Sequence, residues 1–439
     1  MVRQILPISA LLLGSAFLLF AGGINALILP VRGSSEGFSA FALGLLGTGW
    51  ALGYVSGCLA TPGIVARVGH IRAFSVMATF AAISILASLI LVSPASWIIF
   101  RGLAGFCFAG AAMIVESWLG ERAEPSTRGR IFGLYTMVNL VATTAGQMTL
   151  TLGDPTGYLF FVLAAMFYCL SLVPTALTTT VTPKPLVSVR LDLPALWRNS
   201  PVAVFAVFMV GLSNAAFGTL APVYGERVGL VLTTIALFAS VPILAGALAQ
   251  FPVGLLSDRM DRRKVLLGVA VLAVSADLAF LVFQPEGRAA NLALSALLGA
   301  AIFAMYPVIV AHANDHAAPD THIQVSGGLL LVFGLGSIVG PLLAGWGMSA
   351  IGTRALFATT IAAHGLIIAF TLLRLSQRAK VAAEDKTAFM VQPVLRASTP
   401  QTAELGLPGE DDTPEAPANE DHAPETQRSA PEGADLLAG

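Results

Sequence analysis

Charge is what this sequence lacks: Asp, Glu, Lys and Arg make up only 11% of its 439 residues. A soluble domain carries roughly 25%, so a fold with an ordinary water-facing surface is excluded. Cysteine is scarcer still. Cys58, Cys107 and Cys169 each lie in a separate apolar segment, which excludes a disulfide framework and a thiolate metal cluster and leaves packing as their role. Neither a Ser/His/Asp order nor a phosphate-cradling glycine loop nor a basic nucleic-acid patch stands out, and the glycine pairs fall inside apolar runs instead of between strand and helix. The chain is therefore read as no enzyme, with no cofactor, no resident metal and no nucleic-acid partner.

What is present in excess is apolar residue: 56% of the chain is hydrophobic, 43 residues are glycine, and mean hydropathy is +0.80. That is more than a soluble core of this size can bury, so the chain reads as an integral membrane protein with the lipid bilayer as a partner. Runs of about 18 or more apolar residues, enough to cross a bilayer, fall near 5–30, 39–62, 73–93, 96–119, 131–152, 157–178, 201–222, 231–256, 265–283, 290–311, 324–350 and 355–374. The first is too long for a signal-peptide core and is expected to be retained. Between the sixth and seventh runs the stretch TTTVTPKPLVSVRLDLPALWRNS is long, basic and rich in proline, suited to joining two separately packed bundles.

Basic residues orient these spans. With the N-terminus inside, the inner loops collect Arg3, Arg67, Arg72, Arg122, Arg128, Arg130, Lys184, Arg190, Arg198, Arg259, Arg262, Arg263, Lys264 and Arg374, whereas the outer loops hold Arg32, Arg227, Arg288 and Arg354. The fold class expected is all-α, twelve transmembrane helices in two parallel-repeated six-helix bundles with both termini cytoplasmic. The domains are an N-terminal bundle over 1–178, a linker over 179–200, a C-terminal bundle over 201–375 and an acidic tail over 376–439. An offset of 192 residues carries Pro30-Val31-Arg32-Gly33 onto Pro222-Val223-Tyr224-Gly225, Arg67 onto Arg259 and Arg72 onto Lys264, which marks a duplicated unit. The tail, rich in Pro, Glu, Asp, Ala and Thr, reads as disordered: either a solvated appendage or a regulatory, partner-docking segment.

The densest charge cluster before the tail is Gly254 to Lys264, GLLSDRMDRRK, in the loop after the eighth span. Charge at bilayer depth is expensive, so this is a surface hairpin, where Asp258 can cap a helix or pair with a base from another helix. The spacing Gly254, Asp258, Arg259, Arg262, Arg263 resembles the loop signature Gly-x-x-x-Asp-Arg-x-Gly-Arg-Arg of the major facilitator superfamily, with Asp261 in the glycine position. Twelve spans in two parallel halves fit a twelve-helix bacterial group of that superfamily. The resemblance implies secondary active transport of a small solute by alternating access, with this cluster acting as a conformational latch. The matching first-half loop keeps Arg67, Gly69 and Arg72 but has Ala66 in place of the acid, so an inner latch should depend on Asp258. Its partner surface would be the start of the fifth helix, beside Arg128 and Arg130, with Glu116 in the same charge network.

The fourth span carries Arg101-Gly102-Leu103-Ala104-Gly105, similar to the family's Arg-x-x-x-Gly element, whose arginine is associated with proton coupling. An arginine there must snorkel, pair or face a wet cavity. On the fifth span Thr136, Asn139, Thr143 and Gln147 form one polar stripe, facing either the path or a neighbouring helix. By the family's arrangement of helices Asn25, Asn214, Gln250 and Tyr306 join Thr143, Asn139, Gln147 and Arg101 as cavity candidates, with Trp50, Tyr54 and Phe303 as walls. Asp277 and His364 fall on outer-ring helices. His312, Asp315, His316 and His322 read as solvated loop residues because no ligand spacing recurs. In the eleventh span Gly336-x-x-x-Gly340-Pro341 reads as a packing surface. The function expected is proton-driven transport of a small organic solute by a monomer in the bacterial inner membrane, export before uptake. The alternatives are a sugar or organic-acid symporter and a non-transporting receptor or scaffold that uses the tail.

Overall fold

The computed structural model describes residues 2–122, 128–177, 192–318 and 321–377, together with residues 386, 387, 389, 390, 399, 400 and 402. Among the described residues all regular structure is helical. The first half comprises α1 (Val2–Ser35), α2 (Ala40–Val68), α3 (His70–Ile90), α4 (Pro94–Arg122), α5 (Arg128–Thr149), α6 (Leu159–Leu170) and α7 (Leu172–Ala176). A short α8 (Leu193–Asn199) precedes the second half, α9 (Pro201–Arg227), α10 (Leu232–Arg259), α11 (Arg262–Phe283), α12 (Arg288–Asn314), α13 (His322–Ala350) and α14 (Ala355–Leu375).

Eleven of these helical stretches, α6 and α7 joined as Leu159–Ala176 counting as one, are long and apolar enough to cross a membrane. The helix of the polar stripe, α5, is not among them. Several helices, among them α1, α2, α4, α9 and α12, outrun their apolar runs by one or two turns, since backbone hydrogen bonding does not stop where the hydrocarbon does. Part of the expected linker is also helical: Asp192 caps α8 by accepting from Ala195 N at 2.9 Å, and Asn199 Nδ2 donates to the Ala313 carbonyl at 3.1 Å. Residues 178–191, and with them Lys184 and Arg190, lie outside the described residues.

The duplicated register is visible in the turns. Gly69 joins α2 to α3 at φ 82° and donates its N–H to Val65 O, a backbone shape that favours glycine. Asp261, 192 residues on, has φ −58°, so glycine is not needed there. Its carboxylate instead caps α11, accepting from Arg263 N at 3.0 Å. The substitution that departs from the family signature is thus a helix cap.

Glycines set the helix pairs. A Cβ on Gly53 would overlap the Gly102 carbonyl and one on Gly105 the Trp50 carbonyl, so α2 and α4 touch backbone to backbone. Gly23 and Gly146 do the same for α1 and α5. The second half repeats the scheme, with Gly299 against Pro242 for α12 and α10, and Gly211 against Phe333 with Gly336 and Gly340 against Phe208 and Leu212 for α9 and α13. The Gly336-x-x-x-Gly340 element is therefore a packing surface, as read from the sequence.

The two halves meet most closely at the end away from the basic loops. There Gly44 and Gly47 of α2 lie against Pro341 of α13, Phe41 N donates to Ser349 Oγ at 2.9 Å, and Thr48 Oγ1 donates to the Ile338 carbonyl at 2.8 Å. At the basic end, where α2 and α10 finish and α3 and α11 begin, the described tail residues lie between the halves. The expectation of a wholly disordered tail differs from this at Thr399 and Thr402, which are buried.

Candidate functional site

A cavity of about 250 Å³ occupies the junction of the halves. Eight expected residues line it: Trp50, Tyr54, Arg101, Thr143, Gln147, Asn214, Phe303 and Tyr306. The Arg101 guanidinium lies 5.9 Å from the centre of the Trp50 ring, within cation–π range. Of the three fates open to Arg101 the cavity is the one realised: α4 turns it inward, where it is buried and lines the cavity. Thr143 Oγ1 is buried with no hydrogen-bond partner among the described residues. Gln147 Oε1 accepts from Ser240 Oγ of the other half at 2.6 Å.

Three expected cavity residues lie elsewhere. Asn25 Nδ2 donates to Tyr168 Oη at 3.4 Å, Asn139 Oδ1 accepts from Ser15 at 3.5 Å, and Gln250 Nε2 donates to the Phe303 carbonyl at 3.5 Å. Each amide finds a partner on a neighbouring helix, although Asn25 Oδ1 stays buried with no hydrogen-bond partner among the described residues. The polar stripe of α5 thus divides: its C-terminal part, Thr143 and Gln147, reaches the cavity and Asn139 does not. Phe108, Phe217, Phe333 and Ser337 were not anticipated as lining. Phe108 was legible, lying two turns from Arg101 on the same helical face.

The charged cluster centres on Arg262, not Asp258. Arg262 is 1% exposed and grips Asp315 with two hydrogen bonds, Nε to Oδ2 at 2.7 Å and Nη2 to Oδ1 at 3.2 Å. It adds Ser257 Oγ at 3.0 Å, Asp258 Oδ1 at 3.3 Å and the Thr387 carbonyl. The Asp258 side chain is 45% exposed at the last turn of α10, where water competes for it. Asp315, expected to be solvated, is 2% exposed because it closes α12 directly over α11. The repeat does not point to it, because the 192-residue offset sets Ala123 against Asp315. Arg263 pairs with Asp261 at 2.8 Å. Burial pushes the Asp261 carboxyl up, but the hydrogen bonds from Arg263 outweigh it and hold it below the usual carboxylate range.

Among the other expected latch residues, Arg67, Arg72, Arg130 and Arg259 are exposed, and the side chain of Arg128 lies outside the described residues. Glu116 is buried and accepts from three hydroxyls: Tyr135 at 2.9 Å, Thr402 at 2.7 Å and Thr399. Of the two bases expected in its charge network, Arg128 or Arg130, Arg130 is exposed at the first turn of α5 while Glu116 is buried, and the side chain of Arg128 lies outside the described residues. Gly254 is buried under the Phe389 ring.

Asp277, whose partner was not evident from sequence, accepts or shares a proton with His364 Nδ1 at 2.9 Å, both side chains fully buried between α11 and α14. Polar pairs inside membrane helices contribute roughly 1 kcal/mol. Asp277→Asn is therefore expected to lower the melting temperature slightly while leaving solute binding intact, because the pair does not line the cavity. Loss of binding in a stably folded Asp277→Asn protein would show instead that the pair acts on the site.

Two helical halves around a solute-sized cavity, closed together at one end, define a polytopic membrane transporter. A family model described as Major Facilitator Superfamily matches residues 11–242 and again residues 203–407, and the chain belongs to that superfamily. It is similar to the MFS-type transporter YcaD of Salmonella arizonae and of Salmonella newport, 26% identical in each case over 372 residues, 84% of this chain and 95% of the relative. Among solved structures it resembles the nucleoside transporter NupG (TM-score 0.70, 13% identity, 84% of this chain and 98% of that one). It also resembles a bacterial homologue of the human lysosomal transporter Spinster, inward-facing and occupied (TM-score 0.67, 18% identity, 86% and 98%). The chain is accordingly a secondary transporter of the plasma membrane, not an enzyme.

Proposed function

We propose that the cavity binds a small organic solute that is neutral or weakly anionic and carries a flat ring or similar face. The observation that carries this reading is the lining. Trp50, Tyr54, Phe108, Phe217, Phe303 and Tyr306 supply stacking surfaces, Asn214, Thr143 and Gln147 supply hydrogen bonds, and Arg101 is the one formal charge among the lining residues. A cationic solute would meet Arg101 and no carboxylate. A nucleoside, the cargo class of NupG, is a solute of this general kind, which supports the class without naming the cargo of this chain.

In this reading α5 is the twelfth span, both termini are cytoplasmic, and the basic end faces the cytoplasm. The closed end near Gly44 and Pro341 is then the outer gate, and the halves rock about the cavity under a proton gradient. The Arg262–Asp315 pair holds α10, α11 and α12 as one rigid unit during that motion.

The test is a thermal-stabilisation screen on the purified full chain, followed by counterflow in proteoliposomes. Stabilisers should be neutral or anionic. Arg101→Gln should weaken anionic members by about tenfold to a hundredfold, the value of about 1.5–3 kcal/mol for a charged hydrogen bond, and neutral members much less. A screen returning only cations would overturn the solute class. Absence of counterflow for any stabilising compound would favour the receptor or scaffold reading.

A further inference from the structure

We infer that the described C-terminal residues Lys386, Thr387, Phe389, Thr399, Pro400 and Thr402 form a built-in plug that seats in the basic mouth of the cavity and restrains the transporter. Its described residues are fastened to both halves. On the second half Lys386 Nζ donates to the carbonyls of Ser257, Asp258 and Met260 at 3.2, 3.1 and 2.5 Å, neutralising the end of α10 as a cation at a helix C-terminus does. Thr387 donates from both N and Oγ1 to Asp315 Oδ1 at 2.9 Å, and its carbonyl accepts from Arg262. Phe389 fills the space over Gly254, where a Cβ would stand 2.5 Å from its ring.

On the first half the hydroxyls of Thr399 and Thr402 both donate to Glu116 Oε2, and Pro400 between them forms part of the cavity wall. A buried carboxylate needs donors. Tyr135 supplies one on Oε1, and the segment supplies those on Oε2. These residues therefore bridge the two halves at this end, and they must leave their seats before the halves can meet there.

The chain beyond residue 402 carries ten acidic residues and one basic residue, opposite in sign to the basic loops. Opposite charge favours the seated state, so seating is sensitive to salt.

Cys58 lines the same cavity and reports on the mouth. In a Cys107→Ser/Cys169→Ser background, the full chain should react slowly with a small methanethiosulfonate reagent. A chain ending at residue 385, and the full chain with Thr399→Ala/Thr402→Ala or with Phe389→Asp, should react about tenfold faster. A synthetic peptide of residues 386–402 should slow the truncated chain again, and raised salt should speed the full chain. Equal labelling of all these proteins, each monodisperse, would overturn the plug. The readout is a thiol and not a cargo, so it stands or falls separately from the proposed solute class.

Discussion

Replacing Arg262 by alanine should destabilise the chain by about 3–5 kcal/mol, because it strands a buried carboxylate. Asp315 is 2% exposed and receives two of its hydrogen bonds from Arg262, so removal of the guanidinium leaves a negative charge without a neutralising partner. The comparison that decides the mechanism is Asp258→Ala. That side chain is 45% exposed and contributes a single 3.3 Å contact, so its loss should cost about 1 kcal/mol or less. Replacing both members of the buried pair, Arg262→Met with Asp315→Leu, should recover most of the stability lost in the single variant, since no charge is then left uncompensated. Unfolding of the purified variants in detergent measures all three. Equal losses for Arg262→Ala and Asp258→Ala would show that the loop is held by surface charge and not by the buried pair.

That contrast also marks what the sequence could and could not disclose. Hydropathy marked eleven of the twelve expected spans, because an apolar run must be a bilayer thick to cross, and the polar stripe of α5 keeps that helix from qualifying. The 192-residue repeat was legible because Arg67 and Arg72 recur in register as Arg259 and Lys264. The choice among neighbours was not legible. Asp258 and Asp315 are both acids near Arg262, and only packing decides which is buried with it. The same holds for the amides: Asn25, Asn139 and Gln250 carry the chemistry of cavity residues, yet each faces a helix that offers it a partner. Asp277 and His364, 87 positions apart, could be joined only by the packing of α11 on α14. The tail is the instructive case. Its composition is that of a disordered segment, but a handful of residues, Lys386, Thr387, Phe389, Thr399 and Thr402, meet complementary groups on the bundle, and composition averages such residues away.

Gly53→Leu should yield no monodisperse protein. A Cβ at that position would overlap the Gly102 carbonyl and come within 3.0 Å of Phe106 N, both of them backbone atoms that cannot rotate aside. Adding volume to an ordinary core costs about 1–3 kcal/mol, because side chains shift to receive it. Here the only relief is to move α2 and α4 apart along their length. That motion would also lift Gly57 from Phe106 and Gly105 from Trp50, and with Trp50 the wall against which Arg101 rests. Since association of membrane helices relies on close packing instead of on hydrophobic exclusion, separated helices have little to hold them together. Gly268→Leu supplies the control, as nothing lies within 4 Å of a Cβ there, and it should behave as the unmodified chain does. Size-exclusion profiles of the two variants decide the matter: a Gly53→Leu protein that elutes as a single sharp peak and melts with the parent would refute the backbone contact between α2 and α4.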